Sequence, residues 1–252
     1  MTPTDKQETQ QALAQTLERT WTLFDEVQQY LGSSPQQDIP DFTVRAQQLI
    51  PDEQQAAAQV MERASLAQIE TMVRTCDRCA LAQTRRHAVP GEGVINARLM
   101  VIGEGPGADE NATGRPFVGR AGVYLDSWLK AIGLSRETNT YIANVVKCRP
   151  PGNRDPLEEE AAACMPYLIR QVALVKPDAI LCVGKVAARF LLGRSDALKN
   201  LRTTVYRYQQ IPVVVTYHPA AVLRNLQLRA PVWEDLKRVA QLINMPIPGS
   251  RG

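Results

Sequence analysis

The chain has 252 residues, of which 44% are hydrophobic, and a formal net charge of +3 at neutral pH. This length and apolar content suffice for a buried core in one or two domains, which excludes a disordered or fibrous protein for most of the chain. No apolar run approaches the roughly 18 residues that span a bilayer, and residues 1–10 lack the pattern of a signal peptide, so we expect a soluble cytoplasmic protein.

Charge and composition change near residue 70. Residues 1–70 hold four basic and eleven acidic side chains, whereas the remainder holds 25 basic and 15 acidic ones. Fourteen of the 20 glutamines precede residue 71, but Gly32 is the only glycine there. We therefore predict an acidic, Gln-rich extension over residues 1–69 and a separate domain over 70–252. The basic domain is typical of nucleic-acid binding, although a plain basic surface has the same composition.

The extension carries a helical pattern. Leu13, Leu17, Phe24 and Leu31 recur at helical spacing, and Gly32 ends the pattern. A second helical stretch runs from residue 52 toward residue 71. Two interpretations stay open: the extension packs on the following domain, or it serves as an arm that binds a protein partner or inhibits the domain.

Beyond the extension, short apolar runs alternate with helical patterns. The predicted strands are 98–103, 140–146, 178–184 and 212–217, and the predicted helices are 121–132, 157–175, 185–192 and 230–243. Such alternation predicts a parallel sheet that helices cover on both faces. Because ligands of these folds bind beyond the carboxyl ends of the strands, the segments that follow each strand are the candidate site.

The segment after the first strand, Gly103–Ala108, matches the GxGxxA pattern of dinucleotide-binding proteins. Pro106 removes a backbone donor, and residues 109–117 are not expected to form a helix that presents its N-terminus to a pyrophosphate. A nucleotide-dependent enzyme is therefore a weak alternative. The P-loop pattern is also missing from the sequence.

The cysteines form a more specific pattern. Cys76 and Cys79 make a CxxC pair, and Cys148 and Cys164 follow at longer intervals. Four thiolates suit either a tetrahedral zinc ion or a [4Fe-4S] cluster, and the residues alone do not separate the two. Cys182 lies within an apolar strand and is expected to be a core thiol outside this site.

Five segments in order resemble the motifs of the family 4 uracil-DNA glycosylases, which carry an iron-sulfur cluster. They are Cys76-Asp-Arg-Cys79, Gly103-Glu-Gly-Pro-Gly107, Gly114-Arg-Pro-Phe-Val-Gly119, Asn144-Val-Val-Lys-Cys148 and His218-Pro-Ala. The resemblance covers roughly residues 70–243. It implies a three-layer α/β/α fold with a central four-stranded parallel sheet, and a [4Fe-4S] cluster held by the four cysteines.

The resemblance also implies a base-excision site. Phe117 would stack on a uracil flipped out of DNA, and Asn144 would read its N3–H and O4, which cytosine presents in the reverse pattern. His218 would donate to uracil O2 as negative charge develops there, together with backbone N–H groups of the turn Glu104–Gly107. Of these three side chains, we expect His218 and Asn144 to take part in catalysis.

Two acids complete the predicted pocket. Glu104 is expected to orient water or the base, and Glu110 to close the pocket against the methyl group of thymine. Gly105, Pro106 and Gly107 are expected to contact the substrate. Uracil glycosylases of the best-known family carry a water-activating aspartate where this chain has Gly105, which favours a dissociative reaction that depends less on a general base.

DNA contacts are expected from Arg149, Arg154, Leu223 and Arg224, which follow the second and fourth strands. We expect a monomer that acts on uracil-containing DNA at the nucleoid. The main alternative is a noncatalytic DNA-binding protein of the same superfamily, which would keep the cysteines and the basic surface but excise no base.

Overall fold

The computed structural model describes residues 61–246, so the helix predicted in the first 32 residues lies outside the described part of the chain. The strands are β1 (Glu92–Gly93), β2 (Leu99–Gly103), β3 (Thr140–Asn144), β4 (Ala179–Val183), β5 (Tyr206–Tyr208) and β6 (Ile211–Thr216). The α-helices are α1 (Leu66–Arg74), α2 (Ala108–Thr113), α3 (Arg120–Ala131), α4 (Glu158–Val175), α5 (Lys185–Leu192), α6 (Leu198–Leu201), α7 (Pro219–Arg224) and α8 (Arg229–Leu242).

The strands form one sheet in the order β1-β3-β2-β4-β6-β5. The inner strands β3, β2, β4 and β6 are parallel, which confirms the predicted four-stranded parallel sheet. The short edge strands β1 and β5 run antiparallel to their neighbours and were not predicted. The chain leaves β2 toward β3 on one side and reaches β4 on the other, so a crevice is expected at the carboxyl end of β2.

Strands β2, β3 and β4 are buried along their whole length and β6 is buried from Val213 to Thr216, which explains their largely apolar sequences. Along β2, Met100 and Ile102 pack in a core with residues of α1, α4 and α5, whereas Leu99 and Val101 pack in a second core with residues of α3, α7 and α8. Two helical layers thus cover one sheet, which confirms the predicted three-layer α/β/α fold.

Two helices at the carboxyl edge depart from the sequence prediction. Helix α2 begins directly after Gly107, in a segment that was not expected to be helical. Its six residues form because Glu110 accepts a hydrogen bond from the Gly107 N–H at 3.1 Å and so caps the first turn. Helix α7 begins after His218, whose side chain is its N-cap.

Helix α1 crosses the domain boundary predicted near residue 70. Ser65 and Gln68 form a reciprocal capping box at its start. Met61 and Ile69 are buried in the same core as the sheet, and Arg170 on α4 donates to the carbonyl of Ala64 at 2.9 Å. Residues 61–69 therefore belong to the packed domain. In residues 61–246, the structure contains no helix with the length and apolar character of a membrane span.

Candidate active site and cysteine cluster

A cavity of about 410 Å³ opens at the carboxyl edge of the sheet, within the size range of ligand pockets. All eight residues predicted to bind or act on the substrate line it: Glu104, Gly105, Pro106, Gly107, Glu110, Phe117, Asn144 and His218. Arg154 and Arg224 line it as well, whereas Arg149 and Leu223 do not. Parallel strands bring these segments together because their carboxyl ends share one edge.

Glu110 joins two loops of this cavity. One carboxylate oxygen accepts hydrogen bonds from the N–H groups of Val118 and Gly119 at 2.9 and 3.0 Å. The other oxygen accepts from the N–H of Gly107. The carboxylate therefore fixes the turn after β2 against the loop that carries Phe117. This bridging function was not predicted from the sequence, where Glu110 was expected to close the pocket against the methyl group of thymine.

Phe117 and His218, which both line the cavity, are stacked on each other. Their ring centroids lie 5.7 Å apart with an interplanar angle of 30°. Phe117 is 6% exposed and has a backbone φ of 52°, which is rare for an aromatic residue. The two rings border the space in which a planar ligand would stack.

Asn144 ends strand β3 and is 1% exposed. Its side-chain oxygen is buried and, among the described residues, accepts no hydrogen bond. A side chain at Gly103 would put its Cβ 2.4 Å from this oxygen, so glycine leaves the room that the amide occupies. Since an unpaired buried acceptor costs stability, its presence in the cavity points to a ligand that donates to it.

The hydrogen-bonding pattern around His218 defines its state. Its Nδ1 accepts a hydrogen bond from the Ala220 N–H at 3.1 Å, which leaves the proton on Nε2. Burial, with a smaller contribution from the positive charge of Arg224, lowers the pKa of His218 to about 4, although Glu110 acts in the opposite direction. The imidazole is thus neutral at pH 7 and offers Nε2–H as a donor.

Glu104 lies at the other side of the cavity. Burial raises the pKa of its carboxyl group to about 7, and the nearby negative charge of Asp155 contributes in the same direction. A carboxyl group with this pKa can exchange a proton near neutral pH, which suits a group that orients or activates water.

The predicted DNA-binding arginines have different surroundings. Arg154 makes a two-fold ion pair with Glu160 at 2.6 and 2.8 Å, and the same carboxylate accepts the N–H of Leu157 to cap α4. Arg149 donates to Asn153 at 2.8 Å. Arg154 therefore has a structural partner, Glu160 in the first turn of the following helix, that was not predicted from the sequence.

Cys76, Cys79, Cys148 and Cys164 line a second, smaller cavity on the α4 side of the sheet. No three His, Cys, Asp or Glu side chains in the described part of the chain are arranged to hold one metal ion. The four thiols line one cavity, and four cysteine thiolates are the ligand set of a [4Fe-4S] cluster as well as of a tetrahedral zinc ion. Cys182 is fully buried in β4 and does not line this cavity.

Two donors point at the sulfur atoms. The backbone N–H of Lys147 donates to Cys164 Sγ at 3.2 Å, and the Arg85 guanidinium donates to Cys148 Sγ at 3.4 Å. Such hydrogen bonds stabilise thiolates that ligate iron-sulfur clusters. Burial raises the pKa of the Cys164 thiol to about 12, so its thiolate needs positive charge nearby, which a metal cluster supplies.

The buried ammonium group of Lys147 beside this cavity was not predicted from the sequence. Lys147 Nζ donates to the carbonyl of Asn144 at 2.8 Å and to Gln171 Oε1 at 2.7 Å, and neither partner is charged. Burial lowers the pKa of Lys147 to about 8, and Cys164 opposes this effect. The negative charge of cluster-bound thiolates would balance this cation. The donor set and its surroundings therefore fit a thiolate-bound cluster.

Comparison with known proteins identifies the family to which this chain belongs. The uracil DNA glycosylase superfamily profile matches residues 90–237. The type-4 uracil-DNA glycosylase of Pyrobaculum aerophilum is 42% identical over 179 residues, which cover 68% of this chain and 91% of that protein. That of Archaeoglobus fulgidus is 40% identical over 192 residues, 73% of this chain and 96% of that protein. A DNA polymerase of Bacillus phage SP01 is 26% identical over 158 residues, 63% of this chain and 17% of the polymerase. By the identity and coverage of these matches, the chain belongs to the type-4 family of the uracil DNA glycosylase superfamily.

Proposed function

We propose that this protein is a DNA repair glycosylase that flips uracil out of DNA and hydrolyses its N-glycosidic bond, leaving an abasic site. The observation that carries the proposal is the buried Asn144 oxygen, which accepts no hydrogen bond from any residue between 61 and 246 and shares its cavity with a neutral His218 and the Phe117 ring. Family membership supports the same reaction.

Recognition would begin with stacking. A base inside a duplex is out of reach, so the nucleotide must leave the helix, and an aromatic ring offsets part of that cost. With uracil against Phe117, Asn144 Oδ1 would accept N3–H and the amide nitrogen would donate to O4. Cytosine carries an acceptor at N3 and an amino group at C4, so the same amide would face two mismatched groups.

Leaving-group stabilisation would come from His218. Breaking the glycosidic bond places negative charge on uracil O2. The neutral imidazole can donate its Nε2–H to this oxygen at pH 7 without any change in its protonation state. The turn after β2 supplies fewer backbone donors than the sequence suggested. Pro106 has no N–H, and the Gly107 N–H is bonded to Glu110, which leaves Glu104 and Gly105 as donors of that turn.

Glu104 is proposed to orient the attacking water as a carboxylate. With a pKa of about 7, its ionised fraction rises from about 10% at pH 6 to about 90% at pH 8. We expect the single-turnover excision rate to rise across this range, and His218 to add no dependence because its pKa lies near 4. Glu104→Gln should flatten the profile. A profile that keeps its slope in that variant would exclude Glu104 as the titrating group.

DNA would lie over the cavity mouth, held by Arg149, Arg154 and Arg224, with Leu223 as the wedge that fills the vacated stack. Arg224 lines the cavity itself, which supports contact with a phosphate next to the flipped nucleotide. Binding that depends on these cations should weaken steeply as salt rises. Such a substrate would place the protein at the nucleoid in the cytoplasm.

The four cysteines are proposed to hold a [4Fe-4S] cluster, which when bound would link α4 to the segments that carry Cys76, Cys79 and Cys148. We expect anaerobically purified protein to be brown, since thiolate-bound iron absorbs visible light and zinc does not. Cys148→Ala should bleach the protein and lower its melting temperature. Cys182→Ala is the matched control and should keep the colour. Colourless protein with stoichiometric zinc would contradict the assignment.

Residues 1–60 of the acidic extension are proposed to lie outside the catalytic domain and to be available for a protein partner, with the enzyme itself a monomer. Deletion of residues 1–60 should leave the melting temperature nearly unchanged. Deletion of residues 1–69 also removes the buried Met61 and Ile69, and large-to-small changes at such sites cost about 2–5 kcal/mol each. We expect that longer deletion to lower the melting temperature by about 10 °C or more in a thermal scan. Equal melting temperatures would show that α1 contributes little to the core.

The excision assay tests the function directly. A duplex with one deoxyuridine is incubated with the protein, treated with alkali and resolved on a denaturing gel, beside matched duplexes with thymidine or deoxycytidine. We expect cleavage of the uracil strand alone. Intact uracil strands at stoichiometric protein would favour the alternative, a noncatalytic DNA-binding protein. The similarity to part of a phage DNA polymerase is the observation that supports this alternative.

A further inference from the structure

Phe117 occupies a strained backbone position. Its φ of 52° is unfavourable for a bulky side chain, and such a conformation persists only where surrounding contacts hold it. The ring cannot stack on a base in the proposed orientation unless this backbone is kept in place. The contacts that hold it are therefore part of how the pocket works.

Arg136 supplies those contacts. The residue is 6% exposed, and its guanidinium donates to the carbonyl of Pro116 at 2.9 Å and to that of Phe117 at 2.8 Å. These are consecutive peptide groups, so one planar fork fixes both sides of the Phe117 Cα. Arg136 does not line the cavity, so it acts on a ligand only through Phe117.

The guanidinium is itself fixed. Asp126 on α3 accepts from its Nε and one Nη at 3.0 and 2.8 Å, and Glu92 on strand β1 lies 3.7 Å from the other Nη. On the opposite side, Gly122 allows the Phe117 carbonyl to approach α3, since a Cβ there would lie 1.9 Å from that oxygen. The Phe117 peptide is thus held between a charged fork and a helix that has no side chain at the contact.

We propose that Arg136 is a positioning residue that sets the Phe117 ring for stacking on the flipped base. The proposal rests on the proposed function and adds the residue that determines the stacking geometry. Lysine at this position would keep the charge but cannot hold two consecutive carbonyls in a fixed plane.

A double-mutant cycle separates positioning from general stability. Single-turnover rates on single-stranded DNA with one deoxyuridine are measured for the wild type, Arg136→Gln, Phe117→Ala and the double variant, with DNA affinity and melting temperature measured for each. Phe117→Ala should slow excision about ten- to a hundredfold. Arg136→Gln should slow it at least about threefold when Phe117 is present and less than about twofold when Phe117 is absent. DNA affinity should stay within twofold.

Arg98→Gln is the matched control. Arg98 also pairs with a carboxylate, Asp178, and donates to a backbone carbonyl, that of Ile243, but at the opposite edge of the sheet. The Arg98→Gln substitution should lower the melting temperature but leave the excision rate unchanged, both with Phe117 present and in the Phe117→Ala variant. If Arg136→Gln fails to fold, Arg136→Lys is used in the same cycle, with a smaller loss of rate that again requires Phe117.

The outcomes distinguish the two proposals. If the wild type releases uracil and the Arg136 variants slow excision equally with and without Phe117, the positioning function is wrong while the proposed function holds. If the wild type releases no uracil from any substrate, both are wrong.

Discussion

Replacing His218 with alanine should lower the single-turnover rate of uracil excision by about a hundredfold to a thousandfold, the usual loss when one donor to a developing oxyanion is removed. Affinity for uracil-containing DNA should change little, because the hydrogen bond to O2 gains most of its strength as charge develops. Rate is measured by rapid quench at saturating enzyme, and affinity by fluorescence anisotropy.

His218→Gln and His218→Ala together test why the side chain matters. Glutamine can restore a neutral donor and should recover part of the rate. His218 also caps α7 by accepting from the Ala220 N–H, so both variants lose that contact and their melting temperatures should fall together. If alanine instead weakened DNA binding and preserved the chemical rate, the histidine would only position DNA, and the backbone of the β2 turn would have to stabilise the leaving base.

Asn144→Asp should reduce uracil excision by at least about tenfold to a hundredfold. The substitution keeps the volume but replaces the amide donor with a carboxylate oxygen, so uracil O4 would face an acceptor in a buried site. Lys147 donates to the backbone carbonyl of residue 144, so the contact that holds this strand end should remain. The variant is compared with the wild type on uracil and cytosine substrates.

The matched control for that change is Asn153→Asp. Asn153 also lines the cavity, but it is exposed and accepts a hydrogen bond from Arg149. The same charge change at this position should therefore alter the excision rate by only a few fold, through weaker DNA binding. Equal losses in the two variants would mean that added negative charge, and not the lost amide, explains the effect of Asn144→Asp.

The inner sheet was predictable because its strands are almost wholly buried on both faces and therefore have largely apolar sequences, such as Leu99–Ile102. The edge strands β1 and β5 could not be predicted in this way. Strands β5 and β6 are joined at Gln209 and Gln210, whose φ values of 46° and 67° are those of a turn that usually contains Asn or Gly. The sequence gives no sign of that turn, and β1 has only two residues.

The cavity was predictable for a similar reason. Asn144 and His218 are polar residues at the ends of apolar strands, and parallel strands deliver their carboxyl ends to one edge. Residues that act through distant partners could not be found in this way. Arg136 is one of many arginines in the sequence, and its function depends on carbonyls 19 and 20 positions away. Lys147 and Gln171 are linked only because α4 packs over β3.

Asn144 and His218 together are expected to hold uracil by its polar edge. The most direct test is a crystal structure of the protein with DNA containing an abasic site and free uracil. We expect uracil stacked on Phe117, its N3–H within hydrogen-bond distance of Asn144 Oδ1 and its O2 facing His218 Nε2. Uracil bound outside the cavity, or with its polar edge turned away from both side chains, would contradict the account.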